Sequence, residues 1–287
     1  MMILFTDTDT DFTPIDAEEY GFKLIHMPYS FLGQDYFAYE EFPFDSKAYY
    51  DILRSGVVPT SAALNSEEYK EYFEPYLKMG EDILYIHFSR AMTVSFDNMD
   101  IAIKELKELY PERTIYTIDT KAITILSYVI VKEIGKMYKN GATLEEIMAW
   151  AEKEIGHFAV YFYADNLTFF KHSGRVSGIA ATMGNIFGIR PIIHINDEGK
   201  MVNIGKAKGK KAVIDRLLSY VDELGDNIGD YTLAIAHCDY LDEAKKFGAL
   251  LEEKYGKLDI DYVCVNPVCG AHCGPDAIGV SFRAKHR

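Results

Sequence analysis

The chain has 287 residues, of which 48% are hydrophobic and 26% charged, and its formal net charge at pH 7 is −14. This length is enough for one large domain or two closely joined ones. The acidic balance argues against nucleic acid as a partner, because binding it needs a basic surface. The apolar runs are shorter than the roughly 20 residues of a membrane-spanning helix, and "MMILFTDTDTD" lacks the pattern of a signal peptide. We therefore expect a cytoplasmic protein with no membrane insertion.

Short apolar runs alternate with amphipathic helical stretches through the first half of the chain. Strands are predicted at "MILFT", "FKLIHMPYSF", "DILYIHF" and "TIYTID", and helices at "SKAYYDILRSG", "SFDNMDIAIKELKELY", "AITILSYVIVKEIGKMYKNG" and "TLEEIMAWAEKEI". Thr143 and Glu146 have the spacing of a capping box, and Thr13-Pro14 is typical of a helix start. This alternation predicts a parallel α/β sheet.

The pattern changes after residue 155. "HFAVYFYAD" predicts a strand, and "RPIIHIN" and "KMVNIGKAK", separated by "DEG", predict a β-hairpin. The helix "KKAVIDRLLSYVDELG" follows, then the strand "TLAIAHC", the helix "EAKKFGALLEEKYG" and the strands "DIDYVCV" and "GVSFR". The sequence thus predicts an α/β protein with two domains, a parallel-sheet domain at residues 1–155 and a mixed α+β domain at residues 156–287. The cleft between them is the expected ligand site.

Hydroxyl side chains cluster in two loops of the first half. Thr60 and Ser61 lie in "VVPTSAALNSEEY", just before a helix start. Ser89, Thr93 and Ser95 crowd the loop "SRAMTVS" between a strand and a helix. Hydroxyls and free N–H groups at a helix N-terminus form a natural anion site, although such residues are also common in loops and as N-caps.

A glycine-rich stretch of the second half holds an arginine. Gly174 permits a tight turn and Arg175 follows it, where the guanidinium could supply charge near an anionic ligand. Gly178, Gly184 and Gly188 lie in a small-residue stretch that reads as helix-like and could pack closely on another element. The alternative is an ordinary solvated arginine in a loop.

The segment "CGAHCGPDAIG" at 269–279 offers a metal, redox or anion site. Cys269, His272 and Cys273 supply three zinc ligands, but their spacing is poor for a closed site. No CxxC motif is present, so a dithiol redox site has no support. His272 on a tight loop shaped by Gly270 and Gly274 can donate an N–H to a carboxylate or a phosphate. An anion clamp is favoured, and a zinc-bearing regulatory module is an alternative.

Three aspartates follow the first strand, Asp7, Asp9 and Asp11. Asp9-x-Asp11-x-Thr13 has the letters of an aspartyl-phosphate phosphatase, in which one aspartate attacks phosphorus and another acts as acid and base. "GDNIGD" at 225–230 resembles the metal-binding acids of such enzymes. That chemistry needs the first aspartate at the strand end, where Asp7 stands instead. A metal-dependent phosphatase is the enzyme alternative, against a polar loop that caps the sheet.

Taken in order over essentially the whole chain, these segments resemble the DegV family of fatty-acid-binding proteins. The opening Thr-Asp-Ser-x-x-Asp-Leu of that family is matched by 6–12, its Thr-Ser pair by 60–61, its Ser-x-x-Leu-Ser-Gly-Thr-Tyr loop by 89–96, its Gly-Arg-Ile-Ser by 174–177, its Arg-x-Lys-Lys-Ala by 208–212 and its His-x-Gly-Pro-Gly-Ala-x-Gly by 272–279. The chain departs from the family at Val94 and Asp276, where the family has glycine. Val94 is expected to narrow or reshape the carboxylate pocket.

The resemblance implies a long-chain fatty acid buried between two α/β domains, with no catalysis and no cofactor. A buried carboxylate needs several hydrogen-bond donors, and an acyl tail gains ~0.8 kcal/mol per buried CH₂ in an apolar tunnel. "HFAVYFYAD" and "GIAATMGNIFGI" are candidates to line that tunnel. By this resemblance the carboxylate is held by Thr60, Ser61, Ser89, Thr93, Ser95, Arg175 and His272.

A partner protein is also implied by the resemblance. In the family, the carrier presents the fatty acid to a separate ATP-dependent fatty acid kinase, which makes an acyl phosphate. A basic island on this acidic chain is the predicted docking surface for the kinase, against the alternative of a solvated helix start; it consists of Lys206, Lys208, Lys210 and Lys211.

Overall fold

The computed structural model describes residues 2–165, 167–177 and 188–287. Within these ranges the strands are β1 (Met2–Asp7), β2 (Phe22–Ile25), β3 (Pro28–Phe31), β4 (Gln34–Phe37), β5 (Thr60–Ser61), β6 (Asp82–His87), β7 (Ile115–Asp119), β8 (Phe158–Tyr163), β9 (Val176–Ser177), β10 (Ile189–Ile195), β11 (Met201–Lys208), β12 (Leu233–His237), β13 (Ile260–Cys264) and β14 (Ile278–Arg283). The α-helices are α1 (Pro14–Tyr20), α2 (Ser46–Arg54), α3 (Ser66–Lys78), α4 (Ser95–Leu109), α5 (Ile125–Lys139), α6 (Leu144–Glu154), α7 (Leu167–Ser173), α8 (Lys210–Leu224), α9 (Leu241–Tyr255) and α10 (Pro267–Cys273).

The first half of the chain forms a four-stranded parallel sheet with the strand order β2-β1-β6-β7. The predicted parallel α/β arrangement is confirmed. Local caps fix the helix starts that the sequence predicts: Thr143 and Glu146 form a capping box at α6, and Thr13 forms one with Asp16 at α1. These caps satisfy backbone N–H groups that have no partner within the helix.

The single strand predicted at "FKLIHMPYSF" is wrong, because the structure divides it. β2 ends at Ile25, and β3 begins at Pro28 in a separate antiparallel sheet of order β4-β3-β5. Between them, the Met27 N–H donates to the Thr8 hydroxyl over 3.0 Å. Pro28 has no N–H to give to a continuing ladder. The turn after Ile25 thus takes the chain out of the parallel sheet, and the small sheet brings Ser61 to its final position.

The second half forms a seven-stranded mixed sheet with the order β13-β12-β14-β8-β10-β11-β9. β12 and β13 run parallel, and β14 is antiparallel to both β12 and β8. The hairpin predicted around "DEG" is confirmed as the antiparallel pair of β10 and β11. The mixed sheet is therefore as the sequence predicts.

The two sheets are joined by helices that each contact both halves of the chain. α5 follows the parallel sheet in the chain, yet it packs on β8, β12 and β14 of the mixed sheet. α10 comes from the second half and packs on α2, β3 and β5. The domain boundary near residue 155 stays a prediction. Of the predicted helix-like stretch, Gly178 and Gly184 lie outside the described residues, and Gly188 forms a turn with φ at 79°.

Candidate functional site

A cavity of about 650 Å³ lies where the carboxyl ends of β1 and β6 face α10 and the start of β11. In open α/β sheets this edge is the usual ligand site. Four of the residues predicted to hold a carboxylate line the cavity although they are far apart in the sequence: Ser61, Thr93, Arg175 and His272.

His272 lies on a helix, so the prediction of a tight loop around it is wrong. Asn266 caps α10 by accepting the Cys269 N–H over 3.0 Å, and Pro267 occupies the first helical position. Asn-Pro is a helix-start pattern that was available in the sequence. Gly274 ends the helix with φ at 72°. The rigid helix therefore fixes the direction of the imidazole.

The His272 imidazole is within hydrogen-bond distance of Ser61, with 3.0 Å between Nε2 and Oγ. Burial, together with the smaller effect of the nearby Arg175 charge, lowers the pKa of His272 from 6.5 to about 4. The ring is consequently neutral at pH 7. One of the two groups donates this bond, so the neutral pair keeps one further N–H or O–H for a ligand oxygen and brings no net charge.

Arg175 supplies the positive charge of the cavity. Its Nη1 donates to the Ser173 carbonyl over 2.5 Å, and it forms no ion pair with any other described residue. Arg90 also lines the cavity, but its guanidinium is bound by both carboxylate oxygens of Asp100, at 2.8 and 2.6 Å. A carboxylate entering the cavity therefore meets Arg175 as the cation whose charge is not already neutralised.

The Thr93 hydroxyl is another potential donor in the cavity. Its Oγ1 accepts the Ser95 N–H over 3.1 Å, which leaves its own proton for a ligand. Val94 beside it lines the cavity and is 66% exposed. Its φ of −87° suits any residue, so the backbone does not require the glycine that the resemblance placed there.

Three predicted carboxylate ligands do not line the cavity. Thr60 is exposed on β5, opposite Ser30. The buried Ser89 donates its hydroxyl proton to the Gly199 carbonyl over 2.8 Å. Ser95 is buried too, and its Oγ accepts from the Leu64 N–H and contacts the Tyr69 hydroxyl. A hydroxyl has one proton, so the Ser89 hydroxyl is occupied by a structural hydrogen bond.

An apolar cavity of about 30 Å³ adjoins the polar one. Ile123 and Met201 line both cavities, so they form the wall between them. The other walls of the apolar cavity include residues of β8, β12 and β14, and Cys273, the residue after His272. The aromatic strand β8 contributes Val160 and Phe162 to it, as the sequence predicts for a tunnel wall. The segment 178–187, the other predicted lining, lies outside the described residues.

Asp7 and Asp11 of the opening motif are held by different protein groups. Asp7 accepts from the Tyr85 hydroxyl and the Phe88 N–H, and Asp11 accepts from Asn266. Burial raises the pKa values of Asp7 and Asp11 to about 7. Among the described residues, no group of three or more His, Cys, Asp and Glu side chains is placed to hold a metal ion. The phosphatase and zinc alternatives gain no support from this arrangement.

Asp9 differs from its neighbours because it lines the cavity. Sequence reasoning considered it only as a phosphatase residue. Its side chain is 4% exposed, and its Oδ1 has no hydrogen-bond partner among the described residues. Burial raises its pKa well above 3.8, and the neighbouring carboxylates of Asp7 and Asp11 raise it further.

The basic island is exposed at the far end of β11. Lys206 and Lys208 lie on one side of the strand, and Lys210 and Lys211 begin α8. Lys211 pairs with Asp215 at 2.8 Å, and the Lys210 ammonium lies over the Tyr240 ring. Lys206 is five residues from the cavity residue Met201, or roughly 17 Å along an extended strand. The island is thus separate from the cavity.

Comparison with known proteins identifies the relatives of this fold. A family model described as "Uncharacterised protein, DegV family" matches residues 1–285. The chain belongs to the DegV family. A DegV domain-containing protein of Clostridium perfringens is 31% identical over 282 residues, covering 98% of this chain and 96% of its relative.

Solved structures of DegV proteins share the fold. A stearic acid-binding protein from Eubacterium ventriosum superposes with a TM-score of 0.88 at 20% identity, covering 99% of both chains. A DegV family protein from Eubacterium eligens loaded with heptadecanoic acid has a TM-score of 0.85 at 21% identity, covering 99% of this chain and 100% of its own. At this identity the likeness shows the two-sheet α/β fold.

The second departure from the DegV pattern has a structural explanation. Asp276 has φ at 64°, in the left-handed region that favours glycine. Aspartate tolerates this region better than most residues. Its carboxylate also accepts from Arg54 of α2 over 2.7 Å. Asp276 thus replaces the flexibility of glycine with a bond that ties the turn after α10 to α2.

None of the helices described is both long and apolar enough to cross a bilayer.

Proposed function

We propose that this DegV protein binds a long-chain fatty acid, with its carboxylate in the polar cavity and its acyl tail in the apolar cavity, and that it has no catalytic activity or cofactor of its own. The observation that carries the proposal is that a donor-lined cavity and an apolar one lie side by side, with Ile123 and Met201 lining both. A molecule with one anionic end and one long apolar chain suits this pair of cavities. The proteins that bind stearic and heptadecanoic acid on the same fold support it.

The donors for the carboxylate are Ser61, Thr93, Arg175 and His272. A carboxylate removed from water loses several kcal/mol of hydration unless charged or polar groups replace it, and Arg175 offers a charge-assisted bond. The tail gains ~0.8 kcal/mol for each CH₂ buried. The apolar cavity, at about 30 Å³, is far smaller than an acyl chain, so side chains that line it move when the tail binds, and Met201 is the candidate next to the polar cavity. Its unbranched side chain suits that role.

The first test is to extract the purified protein with organic solvent and identify bound lipid by mass spectrometry. We expect about one fatty acid per chain. His272→Ala should weaken binding of added palmitate by roughly 10- to 100-fold, because one hydrogen bond to a charged group contributes ~1.5–3 kcal/mol. The matched control is His172→Ala, since His172 is exposed on α7. Equal palmitate affinity in both variants would remove His272 from the site, and absence of any lipid or palmitate binding would reject the carrier function.

We also propose that a fatty acid kinase docks on the basic island and acts on the bound acid in the cytoplasm. The exposed lysines on an acidic chain favour an acidic partner surface through electrostatic complementarity. Replacing both Lys206 and Lys208 by glutamate should slow phosphorylation of the bound fatty acid by a DegV-associated kinase, without changing palmitate affinity. The separation from the cavity predicts this independence. A parallel fall of lipid affinity would contradict the docking proposal.

A further inference from the structure

Asp9 is a buried acid that lines the polar cavity and is not one of the proposed carboxylate donors. It is two residues beyond β1, its side chain is 4% exposed and it forms part of the cavity wall. Its backbone is fully engaged: the N–H donates to Asp7 and the carbonyl accepts the Thr124 N–H over 2.8 Å. The side-chain Oδ1 has no partner among the described residues. A buried polar atom without a partner costs free energy, which a ligand group can recover.

We propose that the Asp9 carboxyl holds a proton and donates it in a hydrogen bond to the carboxylate of the bound ligand. This inference rests on the proposed function, because it needs a carboxylate in the polar cavity. Asp9 adds a donor from the segment after β1 to the other polar groups that line the cavity.

The surroundings of Asp9 keep its carboxyl neutral. Burial and the carboxylates of Asp7 and Asp11 raise its pKa well above 3.8, whereas a hydrogen bond from the Cys269 thiol lowers it to a smaller degree. A neutral carboxylic acid can donate a hydrogen bond to a carboxylate, whereas two ionised carboxylates in one site repel each other. The other titratable or charged groups lining the cavity are Arg90, Asp97, Arg175 and His272.

The Asp9 carboxyl can donate this hydrogen bond only when it is protonated, so ligand binding depends on pH. Below the pKa of Asp9 in the free protein, the proton is already present and binding takes up none. Above it, each ligand bound takes one proton from solvent, so the dissociation constant rises by up to roughly tenfold per pH unit. The neutral His272 does not add to this slope near pH 7, because its pKa is about 4.

The test is calorimetric titration of the full chain with palmitate, in buffers of different ionisation enthalpy, from pH 6 to pH 9. We expect wild-type protein to take up protons as the pH rises, approaching one per palmitate. Asp9→Asn should abolish at least half of this uptake, because the amide does not titrate in this range. Asp259→Asn is the control and should keep the wild-type uptake, because Asp259 is exposed and does not line the cavity.

The outcomes separate this inference from the function on which it rests. Palmitate binding without proton uptake in wild type, or uptake in Asp9→Asn equal to that of wild type, overturns the role of Asp9 and leaves the carrier function standing. No palmitate binding at any pH overturns both. Asp9→Ser, whose hydroxyl donates without titrating in this range, should lose the uptake as well and replaces Asp9→Asn if that variant does not fold.

Discussion

Asp11 is a buried carboxyl group of which only one oxygen accepts hydrogen bonds from the described residues. Its Oδ1 accepts from the backbone and side-chain N–H groups of Asn266 at 2.9 and 2.7 Å. Its Oδ2 is buried with no partner in the described part of the chain. Burial therefore outweighs these bonds and raises the pKa of Asp11 from 3.8 to about 7. The folded protein holds a proton that the unfolded chain releases between these two pH values.

We expect Asp11→Asn to stabilise the protein more at pH 8 than at pH 5. The stabilising effect of the wild-type carboxyl is complete below pH 3.8 and is lost as the pH rises to about 7, because only the unfolded chain ionises in this window. The asparagine does not titrate. The difference in free energy of unfolding between variant and wild type should grow by roughly 3 kcal/mol from pH 5 to pH 8, at ~1.4 kcal/mol per pH unit between pH 5 and about 7.

Urea unfolding at the two pH values measures this difference. Asp259→Asn is the control, because Asp259 is exposed and its replacement should change stability by the same small amount at both pH values. A constant difference for Asp11→Asn would mean that the Asp11 carboxylate is ionised in the folded protein at pH 5.

At the scale of the element, α10 is held against α2 by two tyrosines. The Tyr49 hydroxyl donates to the Pro267 carbonyl over 2.7 Å, and the Tyr50 hydroxyl donates to the Val265 carbonyl over 2.9 Å. Gly270 faces Tyr50 so closely that a Cβ there would be 2.4 Å from the tyrosine oxygen. The glycine is required by this close approach within the helix, since it is not one of the positive-φ residues of the chain.

We expect Gly270→Ala to lower stability by about 1–3 kcal/mol, the usual cost of overpacking, and to weaken palmitate binding because α10 carries His272. Tyr50→Phe removes the clashing oxygen and leaves the ring carbon at 3.0 Å. The double variant should therefore be less destabilised than the sum of the two single variants. Gly229→Ala is the control, because no atom lies within 4 Å of a Cβ at that glycine.

Thermal unfolding of the four proteins gives the coupling energy. Strict additivity of the two changes would show that α10 shifts to accommodate the methyl group without pressing on Tyr50. In that case palmitate affinity should also be insensitive to Tyr50→Phe in the Gly270→Ala background.

Long elements were predictable from the sequence and short ones were not, for a physical reason. The periodic runs of α5 and α8 and the apolar runs of β1 and β6 carry their own signals. β5 has two residues, and it is a strand because it pairs with β3. The break after Ile25 depends on a hydrogen bond from Met27 to Thr8, 19 positions away. Such elements are fixed by tertiary contacts that a local pattern does not contain.

At the scale of the whole molecule, the site is assembled from segments that only the fold brings together. Ser61 and His272 are 211 positions apart and 3.0 Å from each other. The sequence indicated both as anion ligands but could not separate Ser61, which lines the cavity, from its neighbour Thr60, which does not. The alternation of side chains along β5 makes that choice. It likewise could not show that Asp9 faces the cavity and Asp11 faces Asn266.

The halves of the molecule are tied together beside the cavity by the bond from Ser89 to Gly199. Ser89 follows β6 of the parallel sheet, and Gly199 lies in the turn between β10 and β11 of the mixed sheet. Cavity residues flank both ends of this bond, Phe88 and Arg90 on one side and Met201 on the other. The bond therefore links the two halves at the edge of the cavity.

We expect Ser89→Ala to lower the free energy of unfolding by about 1 kcal/mol, the net contribution of one buried hydrogen bond, and to leave palmitate affinity within about twofold. The reason is that the single hydroxyl proton already goes to Gly199, so the ligand loses no donor. Ser55→Ala, at an exposed serine that bonds within its own helix end, controls for the substitution itself. A tenfold loss of palmitate affinity with unchanged stability would show that the hydroxyl leaves Gly199 for the ligand when the fatty acid binds, and would restore Ser89 to the carboxylate site.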